Sequence, residues 1–351
     1  MRHRRLMVVG GLPNVERRLG FGGATVLMQN LVDYLNHVGA NYSFVQTNRF
    51  FDAKGNPCAL KNKIVFLIEF LIKLPWCEIV MFNFSDHATV GMFPKLIKVA
   101  RLLGKKTVFR KFGGSLDLYL EKHSEAVRRR TFEAIAKADL ILLETKKSIE
   151  HVSGNIGRIK NIEWFPNVRK ASAIRSKEEY QKRCVFISHI LDEKGVGDIL
   201  DVARELPDGY TIDLYGPIKE AKYESFPWER YNVSYGGVLT SDEVLHRLIQ
   251  YNLLLLLTSY REGYPGIIIE AMSVGVPCIS TTVGGIPEIV GNGQNGVLVE
   301  AGNREQIKNA ILSVTQESYS KMRRNALCVF QDNFESDTTN ERILHKIYSL
   351  C

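Results

Sequence analysis

Short apolar runs alternate with segments of helical periodicity along most of the chain, which is typical of parallel β-sheets covered by helices on both faces. The first six runs predict the strands Leu6–Val9, Tyr42–Gln46, Ile79–Phe82, Thr107–Arg110, Leu140–Leu143 and Ile162–Phe165. Six further runs predict the strands Cys184–Ile187, Thr211–Tyr215, Val233–Tyr235, Leu253–Leu257, Pro277–Ser280 and Gly296–Val299. The pattern therefore predicts an α/β protein with two parallel sheets.

The chain has 351 residues, and because single cores stop growing at about 250 to 300 residues, two domains are expected. We predict a Rossmann-like domain over residues 1–168, a linker over 169–183, and a second Rossmann-like domain over 184–335. The polar segment Pro166–Arg183 is interpreted as the linker with an exposed connecting helix. Of two helical patterns in Glu305–Leu350, the last, within residues 336–351, is expected to pack back on the first domain.

The position of a ligand follows from the sheets. Parallel sheets bind ligands beyond the carboxyl ends of their strands. Two such domains are therefore expected to face one inter-domain cleft, which would hold the ligand.

Composition narrows the class of protein. Apolar residues make up 45% and charged residues 24% of the chain, an ordinary globular balance. The six cysteines have neither zinc-site nor disulfide-framework spacing, which favours a reducing cytoplasm. The run Leu6–Val9 is too short for a signal-peptide core, and charged residues and a proline interrupt the apolar stretch Ile64–Phe84. We expect a soluble or peripheral cytoplasmic protein.

Charge is divided unequally along the chain. Residues 1–165 hold 26 Lys and Arg against 14 Asp and Glu, a net +12, whereas the remainder holds 20 against 24, a net −4. Such a basic field suits an anionic membrane surface or a phosphate-bearing acceptor, although it can also be a merely solvated face. No helix-turn-helix, zinc-finger or RNA-binding motif is visible, so we do not expect a nucleic-acid partner.

The segment with the clearest chemical pattern is Leu253–Glu300. A leucine strand is followed by a polar loop and by a helix that is predicted to start near Pro265 or Gly266 and to stop at Gly275. The amides of Gly266, Ile267 and Ile268 have no helical partners, so they can bind phosphate or sugar oxygens.

Two acidic residues belong to the loop and helix that follow the leucine strand, Glu262 in the loop and Glu270 one turn into the helix. Carboxylates accept hydrogen bonds from neighbouring hydroxyls, so one of them suits a sugar ring and the other a ribose diol. The turn Gly284-Gly285 follows the next strand and lets backbone amides approach a ligand closely. Taken singly, each of these features is also compatible with a solvated surface.

Together these motifs closely resemble the donor-binding half of glycosyltransferase family 4. The resemblance rests on the runs Glu262-Gly263-Tyr264-Pro265, Glu270 to Pro277, Gly284-Gly285-Ile286-Pro287-Glu288 and Asn295-Gly296. Weaker similarities are Gly22-Gly23, Ala138-Asp139, Pro166-Asn167, Lys194-Gly195, Tyr215-Gly216 and Gly236-Gly237-Val238.

The resemblance implies a GT-B fold and a retaining, metal-independent transferase without a cofactor, for which a UDP- or GDP-linked sugar is the co-substrate. Glu262 would face the donor sugar, and Lys194 would neutralise the departing diphosphate. Glu270 would bind the ribose. The other implied donor-binding residues are Gly263, Tyr264, Pro265, Gly266, Ile267, Ile268, His189, Val238, Gly22 and Gly23.

Two departures from the family pattern stand out. Ser188-His189 replaces the usual Gly-Arg, so a mostly neutral imidazole stands where relatives have a second cation. Arg110-Lys111-Phe112-Gly113-Gly114-Ser115 replaces the segment in which many relatives carry an active-site histidine. Arg110 or Lys111 could meet an anionic acceptor beside the Gly113-Gly114 turn, but a purely structural turn is an equal alternative.

The predicted function is transfer of a sugar to a saccharide or lipid-linked saccharide acceptor, in cell-envelope polysaccharide biosynthesis. The resemblance favours front-face attack assisted by the leaving phosphate, and a covalent intermediate on Glu262 is the alternative mechanism. An epimerase or phosphorylase of the same fold, or a catalytically idle nucleotide-sugar-binding protein, would share this architecture.

Overall fold

The chain folds into two compact units. The computed structural model describes residues 5–14, 23–52, 56–157 and 161–351. The first unit consists of Met1–Val168 together with Ser336–Cys351, and the second unit consists of Arg169–Glu335. Each unit contains one six-stranded sheet.

The sheet of the first unit is parallel throughout, with the strand order β2-β1-β3-β4-β5-β6. Its strands are β1 Leu6–Gly10, β2 Tyr42–Gln46, β3 Ile79–Phe84, β4 Lys106–Lys111, β5 Leu140–Leu143 and β6 Ile162–Trp164. All six predicted strands are present with small differences at their ends. The central strands β1, β3 and β5 are buried on both faces, which explains their continuous apolar sequences.

Helices cover both faces of this sheet. They are α1 Gly23–His37, α2 Ala59–Lys73, α3 Asp86–Gly91, α4 Phe93–Leu102, α5 Leu116–Glu121, α6 Glu125–Ile135 and α7 Lys146–Ile156. On one face the rings of Phe93 and Phe109 pack with centroids 4.4 Å apart. On the other face Leu27 and Leu31 of α1 pack against Val8 and Met81. Each such buried side chain contributes about 1.5–3 kcal/mol to folding.

The second unit has a parallel sheet with the order β12-β11-β10-β7-β8-β9. Its strands are β7 Arg183–Ile187, β8 Thr211–Tyr215, β9 Val233–Tyr235, β10 Leu253–Leu256, β11 Cys278–Thr281 and β12 Gly296–Val299. Its helices are α8 Val196–Ala203, α9 Ser241–Leu248, α10 Gly266–Ser273, α11 Ile286–Ile289, α12 Arg304–Leu312 and α13 Gln316–Asn333. All six predicted strands of this sheet are present too.

The predicted connecting helix in Pro166–Arg183 is wrong. Residues 170–182 contain neither helix nor strand. Part of this segment is held against the second unit, because Ser176 donates from its amide to Val274 O at 2.8 Å and from its hydroxyl to Gly275 O at 2.6 Å. The side chain of Arg323 also donates to Ser176. These tertiary hydrogen bonds satisfy the backbone in place of helical ones.

The end of the chain contains three helices, α12, α13 and α14, rather than the two that the periodicity predicted. The last one, α14 Ser336–Tyr348, belongs to the first unit. Its residues Ile343 and Ile347 join the apolar cluster that includes Leu31 and Leu35 of α1.

Candidate active site

The candidate site lies at the carboxyl edge of the second unit's sheet, where the strand order changes direction. Strands β7 and β10 are neighbours, with Leu253 opposite Cys184, although one is the first and the other the fourth strand of this sheet. From β7 the chain proceeds to β8 on one side, and β11 follows β10 on the other, so the loops leaving β7 and β10 diverge. Such a switch point is the usual ligand-binding position of an open parallel sheet.

Hydrogen bonds join the two loops at this point. The hydroxyl of Thr258 and the amide of Ser259 donate to the carbonyl of Glu193, at 3.0 and 2.9 Å. Gly195 has φ +87°, and a Cβ at this residue would collide with the backbone and side chain of Leu257. Only glycine permits this close approach, which fixes Lys194 beside the β10 loop.

Lys194 and Glu262 form a direct ion pair across the two loops. Their side chains are 14% and 25% exposed, so the pair is shielded but can be reached from solvent. The Lys194 ammonium also lies 5.3 Å from the centre of the Tyr260 ring. The two residues assigned to catalysis from sequence are therefore in contact, 68 positions apart in the chain.

The Gly284-Gly285 turn packs against the backbone of Glu262. The amide of Gly285 donates to the carbonyl of Glu262 at 3.0 Å, and a Cβ on Gly284 would lie 3.0 Å from the Glu262 nitrogen. The glycines thus allow close approach of the acidic loop itself. Tyr264 next to this loop is buried, and its hydroxyl donates to Glu288 at 2.7 Å.

Glu270 accepts a hydrogen bond from the guanidinium Nε of Arg169 at 2.7 Å. The side chains of Arg169 and Glu270 are 17% and 25% exposed. Arg169 also lies against the start of α10, because a Cβ on Gly266 would meet its Nη2 atom. Sequence reasoning missed Arg169, since a single arginine in a polar linker gives no signal of a partner 101 residues away.

The other residues predicted to bind the donor follow strands or begin helices. Of the three amides predicted to bind oxygens, that of Ile268 donates to Pro265 O at 3.1 Å, and Gly263 and Pro265 are buried while Gly266 and Ile267 are half-buried. His189 follows β7, and partial burial together with the nearby cations Lys219 and Lys194 lowers the pKa of its imidazole. Val238 follows the β9 turn and is 63% exposed. Gly23 is the first residue of α1, and Gly22 lies outside the described residues.

The predicted acceptor-side residues lie at the carboxyl edge of the first unit's sheet. Arg110 is 2% exposed, and its guanidinium carbon lies 3.8 Å from the Phe165 ring centre and 4.7 Å from that of Phe112. Burial lowers its pKa to about 9, and Glu144 opposes this shift, so the group is charged at neutral pH.

Lys111 beside it is also buried and has partners within the unit. It pairs with Asp86 at 2.8 Å and donates to the carbonyls of Phe112 and Gly113. Gly113 has φ +78° and donates to Glu144 at 2.7 Å, and Gly114 is half-buried next to it. These contacts give the turn a structural role, and its role toward an acceptor stays a prediction.

Comparison with known proteins covers the part of the chain that forms this site. Residues 167–327, which include all four charged residues of the two ion pairs, match the family model described as glycosyl transferases group 1. This part of the chain is therefore similar to glycosyl transferases of group 1. The narrower prediction of family 4 stays a prediction.

Curated relatives of the group 1 segment match over parts of their length. The N-acetyl-alpha-D-glucosaminyl L-malate synthase of Bacillus anthracis is 38% identical over 76 residues, which are 22% of this chain and 20% of that protein. The 2-deoxystreptamine N-acetyl-D-glucosaminyltransferase of Niallia circulans is 28% identical over 170 residues, 46% of this chain and 43% of that protein. The amylovoran biosynthesis glycosyltransferase AmsK of Erwinia amylovora is 27% identical over 147 residues, 38% of this chain and 36% of that protein. The matches thus span less than half of each relative.

Similarity to solved structures extends over nearly the whole chain. HepE of Anabaena, crystallised in complex with UDP, has a TM-score of 0.74 and 15% identity, covering 98% of this chain and 100% of that one. At this identity the likeness concerns the fold. The predicted fold class, an α/β protein of GT-B type with two parallel-sheet domains, is confirmed.

Proposed function

We propose that this protein is a retaining glycosyltransferase that moves a sugar from a nucleoside-diphosphate sugar to a saccharide or lipid-linked saccharide. The observation that carries the proposal is the partly exposed Lys194–Glu262 ion pair at the switch point of a group 1 sheet. At such an edge, each charged group of the ion pair can leave its partner and bind a ligand instead. A buried structural pair would have no such access.

Lys194 is the group that stabilises the leaving diphosphate. When a donor enters, its phosphates compete for the ammonium that Glu262 now neutralises, and the negative charge that grows on the leaving group is met by a fixed cation. Glu262 is then free to accept hydrogen bonds from donor-sugar hydroxyls. The leaving phosphate assists deprotonation of the acceptor, so attack occurs on the face that the diphosphate leaves. No metal or cofactor is needed for these steps.

Glu270 binds the ribose diol, and Arg169 is a positioning residue for it. Because Arg169 Nε holds Glu270 Oε1, the carboxylate is kept in one orientation with its other oxygen directed to hydroxyl donors. The amides of Gly266 and Ile267 at the start of α10 bind phosphate or sugar oxygens. Gly263, Tyr264 and Pro265 shape the loop, and His189 and Val238 line the nucleotide end.

The names of the relatives support a setting in polysaccharide biosynthesis. AmsK is named for amylovoran biosynthesis, and the HepE crystals contain UDP, which favours a uridine donor here. An epimerase, a phosphorylase or an idle binding protein has no comparable support among these relatives.

The test is a two-stage assay on the purified chain. First, thermal shifts are measured with UDP, GDP and their common sugar conjugates, because a ligand bound to the folded state raises its stability in proportion to ln(1 + [L]/Kd). The donor that stabilises the protein is then incubated with saccharide acceptors, with and without EDTA. We expect acceptor-dependent release of nucleoside diphosphate that EDTA does not abolish, and a product that keeps the donor's anomeric configuration.

Each competing function gives a different result in this assay. Conversion of the donor sugar without nucleotide release would indicate an epimerase, and a phosphate-dependent reaction without nucleotide would indicate a phosphorylase. Donor binding with no product under any condition would reduce the protein to a nucleotide-sugar sensor.

We further propose that the protein works on the cytoplasmic face of a membrane, to which its basic first half is attracted. The support is the net +12 of residues 1–165. Binding to anionic vesicles is expected to weaken as salt rises, because surface charges are screened over about 8–10 Å at 0.1–0.15 M salt. Binding that salt leaves unchanged would exclude an electrostatic contribution.

A further inference from the structure

Helix α2 of the first unit exposes a continuous apolar face. Leu60, Ile72 and the following Trp76 are 73%, 64% and 69% exposed. At about 100° per residue, the exposed apolar positions fall on one arc of the helix surface about 140° wide. These positions, here called the outer face of α2, are Leu60, Ile64, Leu67, Ile68, Leu71 and Ile72.

The opposite face of α2 already packs on the core of the first unit. Phe66 and Phe70 are buried against the sheet, with Phe70 6.1 Å from Phe82 between ring centroids. The side chain of Asn62 is buried and forms hydrogen bonds to the amide and the carbonyl of Phe50, at 2.8 and 2.9 Å. The helix is therefore fixed, and the outer face is a second apolar surface that folding leaves in water.

Most of the charges around this face are positive. Lys61 and Lys63 are exposed on the helix itself. Its only acid, Glu69, is neutralised by Arg49 at 2.8 Å and Lys73 at 2.5 Å. Beyond the helix, Lys105 donates to the carbonyls of Pro75 and Cys77, on either side of Trp76. The apolar surface is thus rimmed by cations whose charge no acid of α2 cancels.

We propose that the outer face of α2 and Trp76 dock on a bilayer containing anionic lipids. Apolar side chains at this density suit the boundary between headgroups and acyl chains, lysines at the rim suit anionic headgroups, and tryptophan favours the interfacial depth. Within the described residues no helix has the length and hydropathy to cross a bilayer, and α2 has 15 residues, so it lies along the surface. A two-fold contact between copies would instead bring the lysines of the two rims together.

This inference deepens the membrane part of the proposed function and is independent of the transfer reaction. Electrostatic attraction alone predicts binding that high salt abolishes. Docking adds a hydrophobic contribution that survives salt and depends on the six side chains of the outer face of α2 and on Trp76.

The test uses a double variant that carries both Ile68→Glu and Leu71→Glu. Its control is Leu118→Glu, which changes an exposed leucine of α5 in the same unit. Full-length proteins are sedimented with phosphatidylcholine vesicles that contain or lack phosphatidylglycerol, at low and high salt. We expect the wild type and the control to bind the anionic vesicles and to keep a salt-resistant fraction. The double variant is expected to lose binding by about tenfold or more, because two side chains that would enter the bilayer become charged.

Further readouts separate the outcomes. Trp76→Phe is expected to remove the vesicle-induced blue shift of tryptophan fluorescence, and thermal unfolding shows that each variant is folded. Equal vesicle binding by the wild type and the double variant would overturn the proposal. The proposal would also be overturned if the wild type did not bind vesicles and was dimeric while the double variant was monomeric. That result would show that the outer face of α2 contacts a second copy of the chain. Nucleotide release with a soluble acceptor is measured in parallel, so failure of the docking proposal and failure of the proposed reaction are distinguishable.

Discussion

Both units place charged residues at the carboxyl edge of a parallel sheet, but the two sets of side chains differ in their exposure to solvent. In the second unit Lys194, Glu262, Arg169 and Glu270 form two ion pairs whose side chains remain 14–25% exposed. At the corresponding edge of the first unit, Arg110, Lys111 and Glu144 are at most 4% exposed, and aromatic rings and backbone groups surround them. A partly exposed ion pair can exchange one partner for a ligand. Fully buried charges cannot reach a ligand, so they contribute only to the stability of the fold.

A second difference concerns the outer surfaces. The first unit carries the excess of positive charge and an apolar helix face, while residues 166–351 have a net charge of −4. Under the proposed function, the second unit carries out the chemistry and the first unit attaches to a membrane. Four sets of substitutions test this division, in order of expected effect.

The largest effect is expected from Arg110→Ala, and on stability. Removal of the guanidinium leaves a space between the Phe112 and Phe165 rings and leaves Glu144 buried without this cation, at a cost of about 3 kcal/mol or more. Urea unfolding followed by tryptophan fluorescence in a Trp228→Phe background reports on the first unit, which holds Trp76 and Trp164. Unchanged stability with lost transfer would instead place Arg110 in acceptor binding.

The next effect is expected on turnover, from Lys194→Ala and Glu262→Gln. Each should lower turnover by roughly 10², because the leaving group or the donor sugar loses its charged partner, while unfolding is nearly unchanged. Lys222→Ala is the matched control, since Lys222 of the same unit pairs with Asp192 at the surface. Near wild-type rates in both site variants would refute the assigned roles.

A smaller effect is expected from Arg169→Ala. Without its partner the Glu270 carboxylate loses its fixed orientation, so KM for the donor should rise about tenfold with little change in kcat. This pattern is expected when the lost interaction is equally strong in the ground state and the transition state. Glu270→Gln should raise KM similarly, and the double variant should be less than additive. A fall in kcat at constant KM would show that Arg169 acts on the transition state instead.

The smallest effect is expected from His189→Arg. A permanent cation should tighten nucleoside-diphosphate binding about threefold at pH 7.5, the size of an exposed ion pair. Because the lowered pKa keeps wild-type His189 neutral, this difference should shrink as pH falls and the imidazole gains its proton. Titration calorimetry at several pH values measures the trend, and a gap that widens toward low pH would contradict it.

The same lowered pKa makes a prediction for stability. As pH falls below about 6.5, the unfolded chain takes up the His189 proton before the folded one does, so wild-type stability declines over that range. His189→Arg should remove this contribution, which urea unfolding at several pH values measures.

The sequence alone determined the twelve strands. The central strands are continuously apolar because both of their faces are buried, and the half-buried edge strands β2, β6 and β9 follow from the alternation of strands with helices. It also indicated Glu262 and Glu270, since they lie in the loop and helix that follow a buried strand, and the family resemblance indicated Lys194. It did not indicate Arg169 or the irregular course of residues 170–182, because both depend on partners about 100 residues away. The hydrophobic periodicity of a short segment does not reveal contacts between residues that are distant in the chain.

Only the tertiary structure decided which charges are available to a ligand. Arg110 and Lys194 are both cations beside a glycine-containing turn in the sequence, yet one is enclosed by aromatic rings and the other borders solvent. The same holds for α2, which has apolar residues on two faces although the core of the first unit covers only one of them. Burial is a property of packing geometry, and packing is set by elements that are distant in the chain.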